Sequence, residues 1–258
     1  MSRALVVTTL FPLTTVAAGD EANAVALRRR GALRGLDVQL IAANKPHHVR
    51  DSDLYLAGGN GRTGVVDLVD LIGATDVVDR VRSGRAAMLA VGAGLDALAL
   101  SFVDPEGEEH DGLGLAPVTV RPATSVTGTV VTEPNENLGL PALIGWESND
   151  VRTERHPGTV ALAGLEYGAG DRSDDPADGV VSGTLVGTRL HGPLLALNPE
   201  LADLVLALAT GRDEPWPALP ETAVERARAV RIAEVRATHP DLGWRDRLPA
   251  RVRRLVSR

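Results

Sequence analysis

The chain has 258 residues, 44% of them hydrophobic, and a net charge of −7, which suits a soluble globular protein whose core holds itself together without staples. It has no cysteine, so disulfides, thiolate metal sites and cysteine nucleophiles are excluded. The acidic balance argues against a nucleic-acid binder, and no apolar run approaches the ~20 residues needed to span a bilayer.

The opening MSRALVVTTL has no small-residue cleavage site behind an apolar stretch and reads as a first strand, not a secretory signal, so a cytoplasmic location is expected. An amphipathic helix follows in GDEANAVALRRRGALRGL, with Ala24, Leu27, Leu33 and Leu36 apolar among arginines, Asp20 as its cap and Gly35 as its end. DVQLIAA and DLYLAGG read as the second and third strands, Val65–Gly84 as a helix, AMLAV as the fourth strand and GLDALALSF as the opening of another helix. This alternation predicts an α/β fold with a mostly parallel sheet and helices on both faces. Ligands in such folds sit at the carboxyl ends of the strands, where the Gly58–Gly61 loop and the Gly92–Gly94 turn both fall.

Past Gly112 the texture changes. LAPVTVRPATSVTGTVVTE is rich in valine and threonine and reads as extended, antiparallel structure. LPALIGWESNDVRT and Gly179–Gly211 complete the compact part, the latter as a strand, a turn at Gly192-Pro193 and a helix capped by Asn198; GAGDRSDDPADG between them is a polar loop. The expected division is a domain over 1–211, a proline-rich hinge over 212–220 and an arginine-rich helical extension over 221–258, which carries ten arginines against five acids. That tail lacks aromatic residues interleaved for base stacking, Trp244 excepted, and docking on the protein's own domain or a partner explains it better than nucleic acid does. The His47-His48 pair reads as loop residues, since neighbours on an extended chain point apart. DPEGEEHDG lacks the alternating oxygen ligands of a calcium loop. No motif calls for a metal or a cofactor.

The decisive stretch is AMLAVGAGLDALAL, where an apolar strand turns at once into a helix. Such an elbow ordinarily presents a nucleophile, but here its tip offers Gly92, Ala93 and Gly94. Together with GWESNDVRT and GTRLHGPLLALNPELADLVL, in this order and spacing, the elbow resembles class I glutamine amidotransferases of the cobyric-acid-synthase type, and within them the amidotransferase subunits of lipid II isoglutaminyl synthase. GDEANAVALRRRGALRGLDVQLI and DLYLAGGNGR fit the same group, so the resemblance covers roughly residues 4–210.

The resemblance implies a three-layer, flavodoxin-like domain that hydrolyses glutamine. A cysteine on the elbow attacks the amide, a histidine moves the proton, backbone N–H groups hold the oxyanion, and ammonia passes to a partner synthetase. Carried over residue by residue, it puts His191 on the catalytic histidine, Gly58 and Gly59 on the loop lending oxyanion N–H groups with Ala93 beside them, and Glu147, Arg152 and Thr153 on a motif near the substrate. It puts Gly92 on the nucleophile. Leu95 replaces a usual aromatic, Asp96 a usual glutamine and Asn149 a histidine, so the departures cluster at the site. Ser101 and Thr188 are hydroxyls away from the tip.

The expectation is therefore a non-catalytic subunit that binds or regulates a Mur-ligase-like synthetase of cell-wall precursor amidation, with Arg152 as a contact for partner or anionic substrate. Two rivals stand beside it. One is an active enzyme, either a residual amidotransferase or a new reaction run by His191 with Asp96 or Glu147. The other is a sensor holding glutamine or another small molecule in the vacated pocket. Asp96 itself reads as an acid in a first helical turn, bonded to backbone N–H groups or water.

Overall fold

AMLAV has no polar alternation, the pattern of a strand covered on both faces. In the computed structural model, which describes residues 3–14, 19–173, 176–220 and 222–238, it forms a central strand of the main sheet with every residue buried. In chain order the elements are β1 (Leu5–Leu10), α1 (Ala22–Leu33), β2 (Val38–Ala43), β3 (Leu54–Ala57), α2 (Val65–Gly73), α3 (Val77–Arg82), β4 (Ala87–Val91), α4 (Ala93–Leu98), β5 (Ser101–Val103), β6 (Glu109–Asp111) and β7 (Val118–Thr132). They continue with β8 (Ile144–Arg155), β9 (Ala163–Tyr167), β10 (Ala177–Asp178), β11 (Val180–Ser182), β12 (Leu185–Thr188), α5 (Leu194–Leu197), α6 (Pro199–Thr210) and α7 (Ala223–Thr238).

The main sheet runs β11-β12-β4-β3-β1-β2 and is parallel except for β11, which forms a hairpin with β12. Its two faces are covered by different helices. Val65, Leu68, Leu71 and Ile72 of α2, Val77 and Val81 of α3 and the apolar side of α4 form one core. Ala24 and Leu27 of α1, with α5 and α6, form the other. This is the three-layer α/β arrangement expected, and each fully buried Leu or Ile contributes about 1.5–3 kcal/mol. The valine- and threonine-rich stretch builds a second sheet, β10-β9-β7-β5-β6 with β8 on β7, antiparallel apart from the β5–β7 pairing.

Four elements differ from the sequence expectation. The helix read over Val65–Gly84 is two helices, because the chain turns at Ala74–Asp76, where Thr75 Oγ1 donates back to the Ile72 carbonyl (2.7 Å). The helix opened by GLDALALSF ends at Leu98, and Ser101–Val103 turns into β5. Asn198 makes no side-chain cap on α6; its amide clasps the Ile144 backbone on both sides, Oδ1 accepting from N–H at 3.0 Å and Nδ2 donating to the carbonyl at 2.8 Å. Asp20 does not cap α1 either, since its carboxylate is taken into the elbow. Gly35 does end the α1 region, with a positive φ and a 2.8 Å bond from Leu36 N–H back to the Gly31 carbonyl.

The proline-rich segment lies against the body. Trp216 donates Nε1–H to the Asp203 carbonyl (3.0 Å) and sits under the Arg34 and Arg212 guanidiniums. Helix α7 docks through Ile232, which packs with Val131 and Ile144, and through a paired Arg236–Glu166 contact. Glu221, residues 239–258 with Trp244, and Asp174 and Asp175 of the polar loop lie outside the described residues. Among the described residues no helix is long and apolar enough to cross a membrane.

Candidate functional site

The elbow is built by strand β4 running out at its carboxyl end. Gly92 N–H still pairs with the neighbouring strand through the Thr188 carbonyl (3.0 Å), and α4 begins one residue later. The backbone at Gly92 takes φ 52° and ψ −114°, a conformation that residues with a Cβ adopt only under strain. A Cβ built on Gly92 would lie 2.8 Å from His191 Nε2, and closer still to His191 Cε1 and the Gly59 carbonyl oxygen. The imidazole thus stands in the space a nucleophile's side chain would need.

His191 is placed by a bridge between the chain after β12 and strand β8, in which its N–H donates to the Trp146 carbonyl (2.6 Å). The ring is almost fully buried, with the half-exposed Trp146 indole against its edge at 6.2 Å. Its Nδ1 faces Asp20 Oδ2 at 3.1 Å. A carboxylate at that distance places the proton of the neutral ring on Nδ1 and leaves Nε2 as an acceptor. Asp20 does more than orient the ring: Oδ2 also accepts from Gly59 N–H (3.0 Å), and Oδ1 accepts from Gly192 N–H (3.1 Å).

These bonds decide the state of the oxyanion loop. Gly59 N–H is committed to Asp20, and Ala93 N–H is committed to the Gly59 carbonyl at 2.8 Å. Of the three residues that the resemblance places at the oxyanion loop, Gly59 and Ala93 therefore already have partners for their N–H groups within the protein. Gly58 is the close-approach position, where a Cβ would meet the Asp20 Cβ at 2.8 Å.

Beneath the elbow lies a buried charge network centred on Arg189. Its guanidinium donates to Thr153 Oγ1 (2.7 and 3.0 Å) and to the Gly92 carbonyl (3.3 Å), and forms an ion pair with Asp96 at 2.6 Å. Asp96, which its first-turn position suggested would meet backbone N–H groups or water, has a side-chain cation as its partner; burial raises its pKa and the Arg189 charge opposes that rise. Below Arg189, Asp178 accepts from Arg189 N–H (3.1 Å) and from Thr188 Oγ1, which removes Thr188 as a free hydroxyl. Asp171 is fully buried, pairs with Arg155 and accepts from Gly179 N–H (3.1 Å). Burial and the neighbouring Asp178 charge push its pKa up to about 7.

Strand β8 supplies the opposite wall. Its inward residues Glu147, Asn149, Val151 and Thr153 alternate with outward ones. Glu147 accepts from Ala169 N–H (2.7 Å) and Gly170 N–H (2.9 Å), so it anchors a loop. Asn149 is buried, and among the described residues neither its Oδ1 nor its Nδ2 has a hydrogen-bond partner. Arg152 is not brought to the elbow. It points outward, half-exposed and paired with Glu154 at 2.7 Å. Ser101 is spent on Glu109 (3.0 Å).

A model of the CobB/CobQ-like glutamine amidotransferase domain matches residues 14–199. The chain belongs to that family. Asp20, Gly92, Glu147 and His191 all fall inside the matched span, and α7 falls outside it. Among curated relatives of the family, the chain is similar to the lipid II isoglutaminyl synthase (glutamine-hydrolyzing) subunit GatD of Staphylococcus aureus strain N315. The two are 28% identical over 198 residues, which is 75% of this chain and 79% of the relative. The subunit of the same name from Streptococcus pneumoniae strain ATCC BAA-255 / R6 is 23% identical over 208 residues, 78% of this chain and 80% of that protein. Among solved structures, PurLQS from Thermotoga maritima superposes with a TM-score of 0.54 at 13% identity, over 82% of this chain and 100% of the other. The glutaminase domain of Trypanosoma brucei CTPS, solved with acivicin bound, gives 0.52 at 12% identity, over 83% and 97%. These two likenesses show that the family fold is present.

Asp20 and Arg189 are the residues that reading the sequence missed. The signal for Asp20 was its place in the connection from the carboxyl end of β1 to α1, the side of such folds where sites are held. The signal for Arg189 was a cation inside the otherwise apolar and glycine-rich GTRLHGP, where burial demands a carboxylate partner.

Proposed function

We propose that this amidotransferase-family chain is a non-catalytic subunit that binds or regulates a partner synthetase, a Mur-ligase-like enzyme of cell-wall precursor amidation. The observation that carries the reading is the filled elbow. Gly92 stands where the resemblance puts the nucleophile, and the His191 ring and Gly59 carbonyl occupy the volume a nucleophile's side chain would take. The committed N–H groups of Gly59 and Ala93 support it, because neither of these two donors is vacant to meet charge developing on an amide oxygen. The Asp20–His191 pair then serves to lock the elbow closed. The family relatives named as subunits of lipid II isoglutaminyl synthase support the choice of partner.

The test has two arms. Incubation with a glutamine-analogue electrophile followed by intact-mass spectrometry is expected to give unmodified protein; a single adduct overturns the non-catalytic part. Co-expression with the synthetase is expected to yield a complex that survives gel filtration; two separate peaks overturn the subunit part.

One observation favours a second reading, a small-molecule sensor. The Asn149 amide, on the inward face of β8 between Glu147 and Thr153, offers a donor and an acceptor, both buried and without a partner among the described residues. Leaving such a group unsatisfied costs about 1–3 kcal/mol. A ligand that meets both atoms raises the melting temperature, so thermal-shift titration with glutamine, compared in Asn149→Leu, separates sensing from scaffolding.

A further inference from the structure

The far end of β8 carries a cavity of about 430 Å³, within the size range of small-molecule sites, lined by Arg152, Glu154, Arg155, His156, Arg172 and Ser173. Two of its guanidiniums are balanced. Arg152 pairs with Glu154 (2.7 Å), and Arg155 pairs with buried Asp171 and reaches Ser173 Oγ (3.3 Å). Arg172 is different: its guanidinium donates to the Thr124 carbonyl, and it has no carboxylate partner among the described residues.

Two further features single the place out. Arg172 has φ 58°, the one positive φ of a non-glycine residue among the described residues. A bulky side chain is held there at a conformational cost, and strain of this kind gathers at ligand clamps. Arg152 also lies directly across the antiparallel ladder from Arg121, which is itself held by Glu109 at 2.8 Å. Like charges opposed in a ladder weaken it. The sheet therefore collects cations at one spot against both backbone preference and pairwise repulsion.

We propose that this cavity is an anion site for a phosphoryl group, borne by a small phosphorylated molecule, with the Arg172 and Arg152 guanidiniums as its principal donors. The planar fork of arginine matches two oxygens of a phosphate. A phosphate near its dianionic form supplies the negative charge that Arg172 lacks and competes with Glu154 for Arg152. His156 holds the floor, with its Nε2 against Thr119 Oγ1 at 3.0 Å and its N–H on the Pro117 carbonyl. The inference stands apart from the role of the elbow, and either can fail alone.

Isothermal titration of the full chain with orthophosphate and with pyrophosphate, each against sodium chloride at matched ionic strength, tests it. The expected result is saturable one-to-one binding of at least one phosphate, with the tighter of the two showing whether a mono- or diphosphoryl group is read. Arg172→Gly suits the positive φ and so folds; it is expected to weaken binding at least tenfold while its melting temperature is unchanged or higher. Glu154→Gln, which frees Arg152, is expected to tighten binding several-fold. Heats no larger than those of chloride, or an Arg172→Gly protein that binds as the parent does, overturn the proposal.

Discussion

At the Trp146 end of β8, most polar groups around the elbow are engaged with one another, the buried Asn149 amide of the strand being the exception. Asp20 holds His191, Gly59 and Gly192; Gly59 holds Ala93; and Arg189 holds Asp96, Thr153 and the Gly92 carbonyl. At the Arg155 end, a guanidinium meets a backbone carbonyl where a carboxylate would be expected, and the backbone beneath it is strained. The same strand thus joins a region whose charges are largely paired to one where, among the described residues, the Arg172 charge has no carboxylate partner. Internal satisfaction gives the elbow structural support: Asp20 and Arg189 tie together chain segments that are far apart in sequence.

The largest way to break this contrast is to remove the cation under the elbow. Arg189→Ala leaves Asp96 and Thr153 facing a buried void, and stripping one partner from a buried charge network costs about 3–5 kcal/mol. For a chain of this length that corresponds to a fall in melting temperature on the order of 10 °C, read by differential scanning calorimetry. A loss below about 1 kcal/mol would show that the network is not what holds the elbow.

Gly92→Cys probes the filled volume itself. The new Cβ must displace the His191 ring or the Gly59 carbonyl and hold φ 52°, a strain of about 1–3 kcal/mol. Urea unfolding is expected to show that loss, and the variant is expected to release no glutamate from glutamine. A Gly92→Cys protein that is as stable as the parent and hydrolyses glutamine would mean that the elbow is open and lacks only its thiol.

Asp20→Asn keeps the shape but removes the charge and one acceptor from a cluster of three bonds, at about 1–2 kcal/mol. Its second readout is local. Amide hydrogen exchange at Gly59 and Gly192 is expected to accelerate, whereas exchange in α7 should not change.

The smallest effect is a slope. Asp171 has its pKa raised from 3.8 to about 7 in the folded protein, so between those values the folded state binds more protons than the unfolded chain. Stability from this group is complete below pH ~4 and is lost as the pH rises through ~7. Asp203 and Glu225, whose pKa values are lowered, act oppositely and mainly below pH ~4. The difference between parent and Asp171→Asn melting temperatures, followed from pH 5 to 8, is expected to shift in favour of the variant as the pH rises. A constant difference would place the buried proton elsewhere.

Much of this was legible in the sequence. The apolar runs of β3 and β4, the largely apolar β1 and the Ala24 and Leu27 positions of α1 set the α/β layers, although Leu33 is exposed and Leu36 lies beyond the helix; the glycines at the ends of β3 and β4 located the elbow. What resisted reading was chemistry between distant segments. Asp20 has the right identity to cap α1, and only the return of the chain 171 residues later brings His191 to it. Asp96 obeys the first-turn rule for acids, yet its partner lies on the loop after β12. The single helix expected over Val65–Gly84 is apolar on both sides of its break, and both pieces pack on the same face of the sheet, but the polar Thr75 and Asp76 between Ile72 and Val77 mark where the chain turns. Arg152 travelled with its motif, but strand alternation sends it to the opposite side from Glu147 and Thr153.

The most direct measurement is glutamate release from glutamine by the purified parent protein, alone and in complex with its synthetase, compared with His191→Ala. The filled elbow predicts a rate indistinguishable from buffer in all three samples. Turnover by the parent that is lost in His191→Ala would contradict it.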